Sequence, residues 1–223
     1  MLSISREYVT LFLFTAFSVV LITYRVLHMN SLTYIFLGWN LVLAAVPYLL
    51  VRVLATKVQK RKSMLLNIVM ASTWLLFFPN APYIFTDLFH LKNTSSSIVW
   101  YDTILILSFA WTGMLFGFLS LWRIEGILQQ TVGPLVSKLS VYLMLFIAAF
   151  GVYLGRYLRF NSWDIVSDPI ALFYEVGHRF IHPFSHPRTW GMTIIFGLFL
   201  ILAYSSFRLV REQKQTERGF KMR

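Results

Sequence analysis

Tyr83, Thr86, Asp87 and His90 have the residue types and spacing of an acid–base site. An acid and an imidazole three positions apart meet on a helical segment. Such a pair suits a general base with its orienting acid, or an oxygen and a nitrogen ligand for a metal. On a second short helix from about Tyr83 to Leu91, Tyr83, Asp87 and His90 would share one side at i, i+4 and i+7. The run Pro79-Asn-Ala-Pro-Tyr83 leads into them and ends an apolar stretch. Each proline lacks a backbone donor and disfavours helix at the residue before it, so Phe78 and Ala81 are predicted to be extended or in a turn. Asn80 then sits between the two breaks with its backbone unpaired. A plainer alternative stays open, in which Thr86 or Asp87 caps a helix and His90 meets lipid headgroups.

Further polar groups are candidates for the same face. Asp102 follows Tyr101 at a predicted span start, where the helix dipole favours an acid. Arg156 and Arg159 are three apart and predicted to share a helix face. Their guanidinium forks could hold Asp87, Asp102 or Asp164, or reach lipid phosphates. The catalytic candidates are therefore Asp87, His90 and Asp102. The substrate-binding candidates are Asn80, Tyr83, Arg156, Arg159, Asn161 and Asp164.

Ser167-Asp168-Pro169 starts a helix, with a capping residue before a first-turn proline. From about 169 to 182, Glu175, His178, Arg179 and His182 form a polar stripe, with Phe173, Val176 and Phe180 opposite. The segment reads as an amphipathic helix lying on the outer membrane interface. His178 and His182 are the metal-ligand candidates, but the Glu of the familiar zinc helix is missing. Pro183 and Pro187 are predicted to break the helix before His186 can join them. A solvated polar face is the expectation.

The elements that must position these residues follow from composition. Of 223 residues, 57% are hydrophobic and 13% charged, with mean hydropathy +0.66. That excludes a soluble globule of this size. The predicted fold is an all-α integral membrane bundle, one polytopic domain over 1–223, with about six transmembrane helices. The spans are roughly Tyr8–Leu27, Leu32–Leu54, Met64–Phe78, Ile98–Trp122, Pro134–Leu154 and Trp190–Val210. Tyr8–Tyr24 is long for a cleaved signal core, and no Ala-x-Ala-like site precedes Arg25, so it is read as the first span. Met64 to Pro79 reaches only about 24 Å, against a hydrocarbon core of about 30 Å. A broken, short span points to a site.

The formal charge of +11 is concentrated beside the spans, which indicates headgroup contact and orientation and argues against nucleic acid. Arg52, Lys57, Lys60, Arg61 and Lys62 crowd one connection; Arg208, Arg211, Lys214, Arg218, Lys221 and Arg223 crowd the tail. Under the positive-inside rule both lie in the cytoplasm, with both termini. Cysteine is absent, which removes disulfides and thiolate chemistry. No phosphate-cradling glycine loop or nucleophile elbow is present, and the residues leave the cofactor unknown. Gly113-x-x-x-Gly117 and Gly151-x-x-x-Gly155 are read as close helix packing, and Asn40 and Asn67 as interhelical hydrogen-bonding groups. Tryptophans are expected mostly near span ends. Asn93-Thr94-Ser95 matches a glycosylation pattern in a predicted outer loop.

The run Trp74 to Leu91 resembles the signature of a family of bacterial multi-pass membrane proteins of unknown function. Gly155-Arg-Tyr-Leu-Arg-Phe-Asn-Ser-Trp-Asp164 looks like that family's second signature, and Tyr101-Asp102 like a third piece. The resemblance implies a bacterial plasma-membrane protein of this size and supplies no activity. The residues alone favour an extracytoplasmic-face enzyme acting on a small-molecule, lipid-linked or envelope substrate. A transporter using the broken third helix, and a non-catalytic scaffold, are the alternatives.

Overall fold

The computed structural model describes the backbone of residues 2–29, 32–58, 64–93 and 99–221, and side chains of 6–28, 32–54, 65–91 and 99–213. The side chains of Lys57, Lys60, Arg61, Lys62, Lys214, Arg218, Lys221, Arg223 and of Asn93-Thr94-Ser95 lie outside the described residues.

The fold is all-α, with no strand among the described residues. In order come α1 (Leu2–Met29), α2 (Phe36–Val58), α3 (Met64–Phe77), α4 (Asn80–Tyr83), a 3₁₀ helix (Ile84–Asn93), α5 (Val99–Val132), α6 (Pro134–Tyr157), α7 (Asp164–Ser167), α8 (Pro169–Ile181), a 3₁₀ turn (Pro183–Ser185) and α9 (Pro187–Lys221). Six segments are long and apolar enough to cross a membrane: Arg6–His28, Phe36–Leu54, Leu65–Leu91, Val99–Val132, Pro134–Tyr157 and Pro187–Gln213. The chain forms two compact units, Met1–Ser120 and Leu121–Arg223, with the boundary inside α5.

In the first unit, a buried cluster joins three segments. Leu37, Leu41 and Ala44 of α2 meet Ala81 and Ile84 of the broken span and Leu105, Ile106, Phe109 and Ala110 of α5. Among the described side chains of α1, Leu11, Ser18 and Arg25, seven apart, are the buried ones. Burial therefore follows one helical stripe, while Phe12, Leu13 and Val20 point outward as lipid-facing residues would. Trp74 departs from the interface expectation: it is buried, stacked on Phe78 at 4.8 Å, and donates to Ser120 Oγ at 3.3 Å.

The break in the third span differs from its sequence reading. Phe78 is in a turn as predicted, but Ala81 is helical: the short helix Asn80–Tyr83 starts just after Pro79 and contains Pro82. Pro82 cannot supply the donor that Phe78's carbonyl would normally receive, so the Ala81 N–H bonds it at 3.1 Å. Asn80 Nδ2 donates to the Phe77 carbonyl at 2.8 Å, so the side chain finishes α3. Further on, the predicted α-helix to Leu91 is a 3₁₀ helix.

In the second unit, the connection expected between Trp122 and Pro134 is helical apart from Gly133. Its φ of 85° is the left-handed region that glycine enters without a Cβ clash. Pro134 then opens α6 at a position needing no N–H. α9 packs along α6, with Gly197 against the Phe146 ring. Asp168 caps α8 as predicted, its Oδ1 accepting from Ala171 N–H at 3.2 Å.

Candidate functional site

The polar groups of the first unit sit where helices end. Arg25 is in the last turns of α1 and Asp102 in the first turn of α5. Arg25 Nε donates to Asp102 Oδ1 at 2.8 Å and Nη2 to Oδ2 at 3.3 Å. Asp102 is fully buried, contrary to an exposed helix-start acid; the bidentate partner compensates the lost hydration. Tyr101 beside it donates to the Leu21 carbonyl at 2.7 Å, so two adjacent residues of α5 grip two residues one turn apart on α1. Arg25 itself was legible only as the polar end of the first span. A charge within a span's last turns was the available signal.

Asp87 is the second buried carboxylate of this unit, at 1% exposure. Its Oδ2 accepts from Asn40 Nδ2 of α2 at 3.0 Å. Asn40 thus makes the interhelical bond expected of it, whereas Asn67 Oδ1 is buried without a partner. His90 Nε2 stands 3.9 Å from Asp87 Oδ1, beyond hydrogen-bond length but aligned with it. The 3₁₀ helix explains the alignment: with three residues per turn, Ile84, Asp87 and His90 eclipse along one edge. Ile84 at the inner end is fully buried, and His90 at the outer end is 45% exposed at its side chain. The edge therefore runs from core to surface.

Aromatic rings connect the two carboxylates. The Arg25 guanidinium lies 5.7 Å from the Tyr34 ring centre, Tyr34 is 6.3 Å from Phe36, and Phe36 is 5.2 Å from the His90 ring. Of the sequence candidates in this unit, Asp87 and His90 come together, and Asp102 joins through Arg25 and the rings. Asn80 gives its amide to Phe77, and Tyr83 offers its carbonyl to the Thr86 hydroxyl at 2.6 Å.

The second unit holds the remaining candidates, and two expectations change there. α6 ends at Tyr157, so Arg156 and Arg159 do not share a helix face; Arg159 lies past the end with φ of 63°. Asp164 turns to its own loop. Its Oδ2 accepts from Asn161 N–H at 2.7 Å and Oδ1 from Ser167 Oγ at 2.8 Å. These bonds, the Asn161 N–H first, hold its carboxyl below the ordinary value.

The polar stripe of α8 is solvated only in part: His182 is exposed, Glu175 and His178 are half-buried, and Arg179 is buried. Arg179 is 95% buried by its 5% exposure, paired with Glu175, with its guanidinium 5.8 Å from the Tyr153 ring centre. Instead Ile170, Phe173, Phe180 and Ile181 face outward. Nor do the prolines separate His186 from His178. Pro183 ends α8, and the following turn brings His186 Nε2 to 2.8 Å from His178 Nδ1. His182 lies beside them, its ring centre 4.9 Å from that of His178. Among the described residues, no three His, Asp or Glu groups are arranged to hold a metal ion.

Residues 39–203 match the family described as Protein of unknown function (DUF1361). The chain belongs to the DUF1361 family. No curated protein and no solved structure matches it. The DUF1361 region includes Asn40, Asp87, His90 and Asp102, while Arg25, Tyr34 and Phe36 precede it. Glu125 was missed by the sequence reading, which ended its span at Trp122. It is buried in the second unit, accepting from Tyr204 Oη at 2.6 Å and Arg208 Nη1 at 2.9 Å.

Proposed function

We propose that this DUF1361 protein is a bacterial plasma-membrane enzyme whose His90–Asp87 pair does acid–base chemistry at the extracytoplasmic face. Six crossings with cytoplasmic termini would set the ends of α1 and the 3₁₀ helix, and the starts of α2 and α5, on that side. The observation that supports the reading is the gradient along one 3₁₀ edge: a buried, Asn40-held carboxylate 3.9 Å from a half-exposed imidazole. A buried carboxylate orients the ring, while the exposed ring reaches substrate; such contacts shorten when substrate excludes water. The substrate class that fits is a lipid-linked or envelope molecule approaching in the headgroup layer.

Transport draws on the broken third span, but the break is packed. A Cβ at Gly117 would lie 2.7 Å from Ala81 Cβ, and one at Gly113 3.1 Å from the Ala81 carbonyl. A break filled by its neighbour argues for a positioned loop over a substrate passage. The test is reconstitution in nanodiscs made from the host's own lipid extract, with mass spectrometry of the lipids over time. Wild type should change at least one lipid or lipid-linked species, and His90→Gln and Asp87→Asn should abolish the change while folding normally. An identical lipid profile for wild type and both variants sinks the enzyme reading and leaves the scaffold.

A further inference from the structure

Hydroxyl groups on helices in this chain usually fold back. Thr10, Ser18, Thr23, Thr73, Thr103, Thr112 and Ser206 each donate to the carbonyl four residues earlier, at 2.7–3.0 Å. In an apolar setting that is the cheapest way to satisfy a hydroxyl. Thr189 and Thr193 do otherwise. Both are buried, at 1% and 5% exposure, and both Oγ1 atoms lack a partner. So do the buried Nε of Arg179 and Nε1 of Trp190. Each of these atoms is an N–H or O–H donor, and an unsatisfied buried donor costs about 1–3 kcal/mol.

The four belong to one neighbourhood of the second unit. Thr189, Thr193 and Gly197 recur every four residues along α9, and Gly197 lies against Phe146 of α6. That face of α9 is thus the one turned to α6. In the same antiparallel pairing, Trp190 stacks on Phe150 with centres 6.1 Å apart, and Phe180 of α8 meets Trp190 at 5.1 Å. Arg179, next to Phe180, places its guanidinium by Tyr153, one turn beyond Phe150. The donors therefore gather where the end of α8 meets the end of α6 and the start of α9. The α9 N-terminus adds the positive end of a helix dipole.

The geometry points to a phosphate-binding site here, formed by Arg179, Thr189, Trp190 and Thr193. Donors without acceptors select an oxyanion. Four donors arriving from two helices exceed the two oxygens of a carboxylate and suit the three or four of a phosphate group. Glu175 occupies the Nη1 side of Arg179, which leaves the Nε edge for the ligand. The phosphate belongs either to a lipid headgroup at this span end or to a free phosphate. The site is independent of His90 and Asp87.

The experiment uses the full chain purified in a phosphate-free maltoside detergent. Thermal unfolding is followed during titration with inorganic phosphate at constant ionic strength, and separately with short-chain phosphatidylglycerol against its phosphate-free diacylglycerol. A rise in Tm with inorganic phosphate assigns free phosphate. A rise only with phosphatidylglycerol, and none with diacylglycerol, assigns the headgroup. The double variant T189V/T193V should weaken the effective ligand at least tenfold. Without ligand it should be as stable as wild type or more so, since valine removes unmet hydroxyls at constant shape. Trp190→Phe, which deletes one N–H and keeps the stacked ring, should weaken it several-fold and decides the matter if the double variant misfolds. No Tm response to either ligand, or wild-type affinity in both variants, overturns the site.

Discussion

Arg25 and Asp102, 77 positions apart, meet in a two-pronged pair with side-chain exposures of 9% and 0%. Removing one member of a buried pair strands the other's charge, at a cost of about 3–5 kcal/mol. Arg25→Gln is therefore expected to lower stability by that amount, read as Tm in detergent. The apolar double variant R25M/D102L should recover most of the loss. If the single and double variants are equally unstable, the pair is not what joins α1 to α5.

Two glycines of α5 separate propensity from packing. Gly126 has nothing within 4 Å of an added Cβ, whereas at Gly117 the added atom would lie 2.7 Å from Ala81 Cβ. Alanine gains up to about 1 kcal/mol over glycine in a helix interior. Overpacking costs about 1–3 kcal/mol, and here the obstruction is fixed to the backbone of the proline-flanked turn. Gly126→Ala should raise Tm and Gly117→Ala should lower it. The same sign for both would mean that the broken span does not rest on Gly117.

The six long apolar helices, the break after Phe78 and the α8 helix with its Asp168 cap were legible because periodicity, prolines and capping act over a few residues. What failed was pairing at a distance. Asp102 was visible as an acid at a span start, but Arg25 looked like a mere boundary, since only tertiary packing brings α1 to α5. The stripe Glu175, His178, Arg179 and His182 was found, but its Arg179 faces the interior while His182 stays exposed. In water a polar edge faces out; here the apolar edge faces out and Arg179 is buried. His186 escaped because a proline was read as separating residues, when the turn it starts reverses the chain.

The histidine pair gives a pH dependence. At 2.8 Å, one of His178 Nδ1 and His186 Nε2 must donate and the other accept, so full protonation of both rings breaks the bond. His186 is held below its ordinary value, first by burial, then by the charges of Arg179 and His178; Glu175 opposes and His182 adds to the lowering. A base depressed in the folded state binds its proton more readily when unfolded, so stability rises with pH across that window. Its contribution is complete above about pH 6.5 and is lost as pH falls below that value toward the folded one. Tm should drop between pH 7.5 and 5.5, flanking that value of about 6.5, and His186→Gln should flatten this part of the profile. A variant with the wild-type slope would show that the slope has another source.

Glu125 tests how a buried carboxylate divides its partners. Tyr204 is buried and bonds at 2.6 Å, whereas the Arg208 side chain is 25% exposed and also lies 3.2 Å from Glu212. Arg208→Gln strands the Glu125 charge, so its cost should sit near the lower end of about 3–5 kcal/mol, moderated by water reaching the site. Tyr204→Phe deletes one bond to a charged group and should cost about 1.5–3 kcal/mol. Glu125→Gln keeps shape and an acceptor for Tyr204, and Arg208 can turn to Glu212, so it should cost least. The expected order of loss is Arg208→Gln, then Tyr204→Phe, then Glu125→Gln, measured as Tm in one detergent. A larger loss for Glu125→Gln than for Arg208→Gln would show that the carboxylate's own charge, more than its compensation, holds α9 against α5.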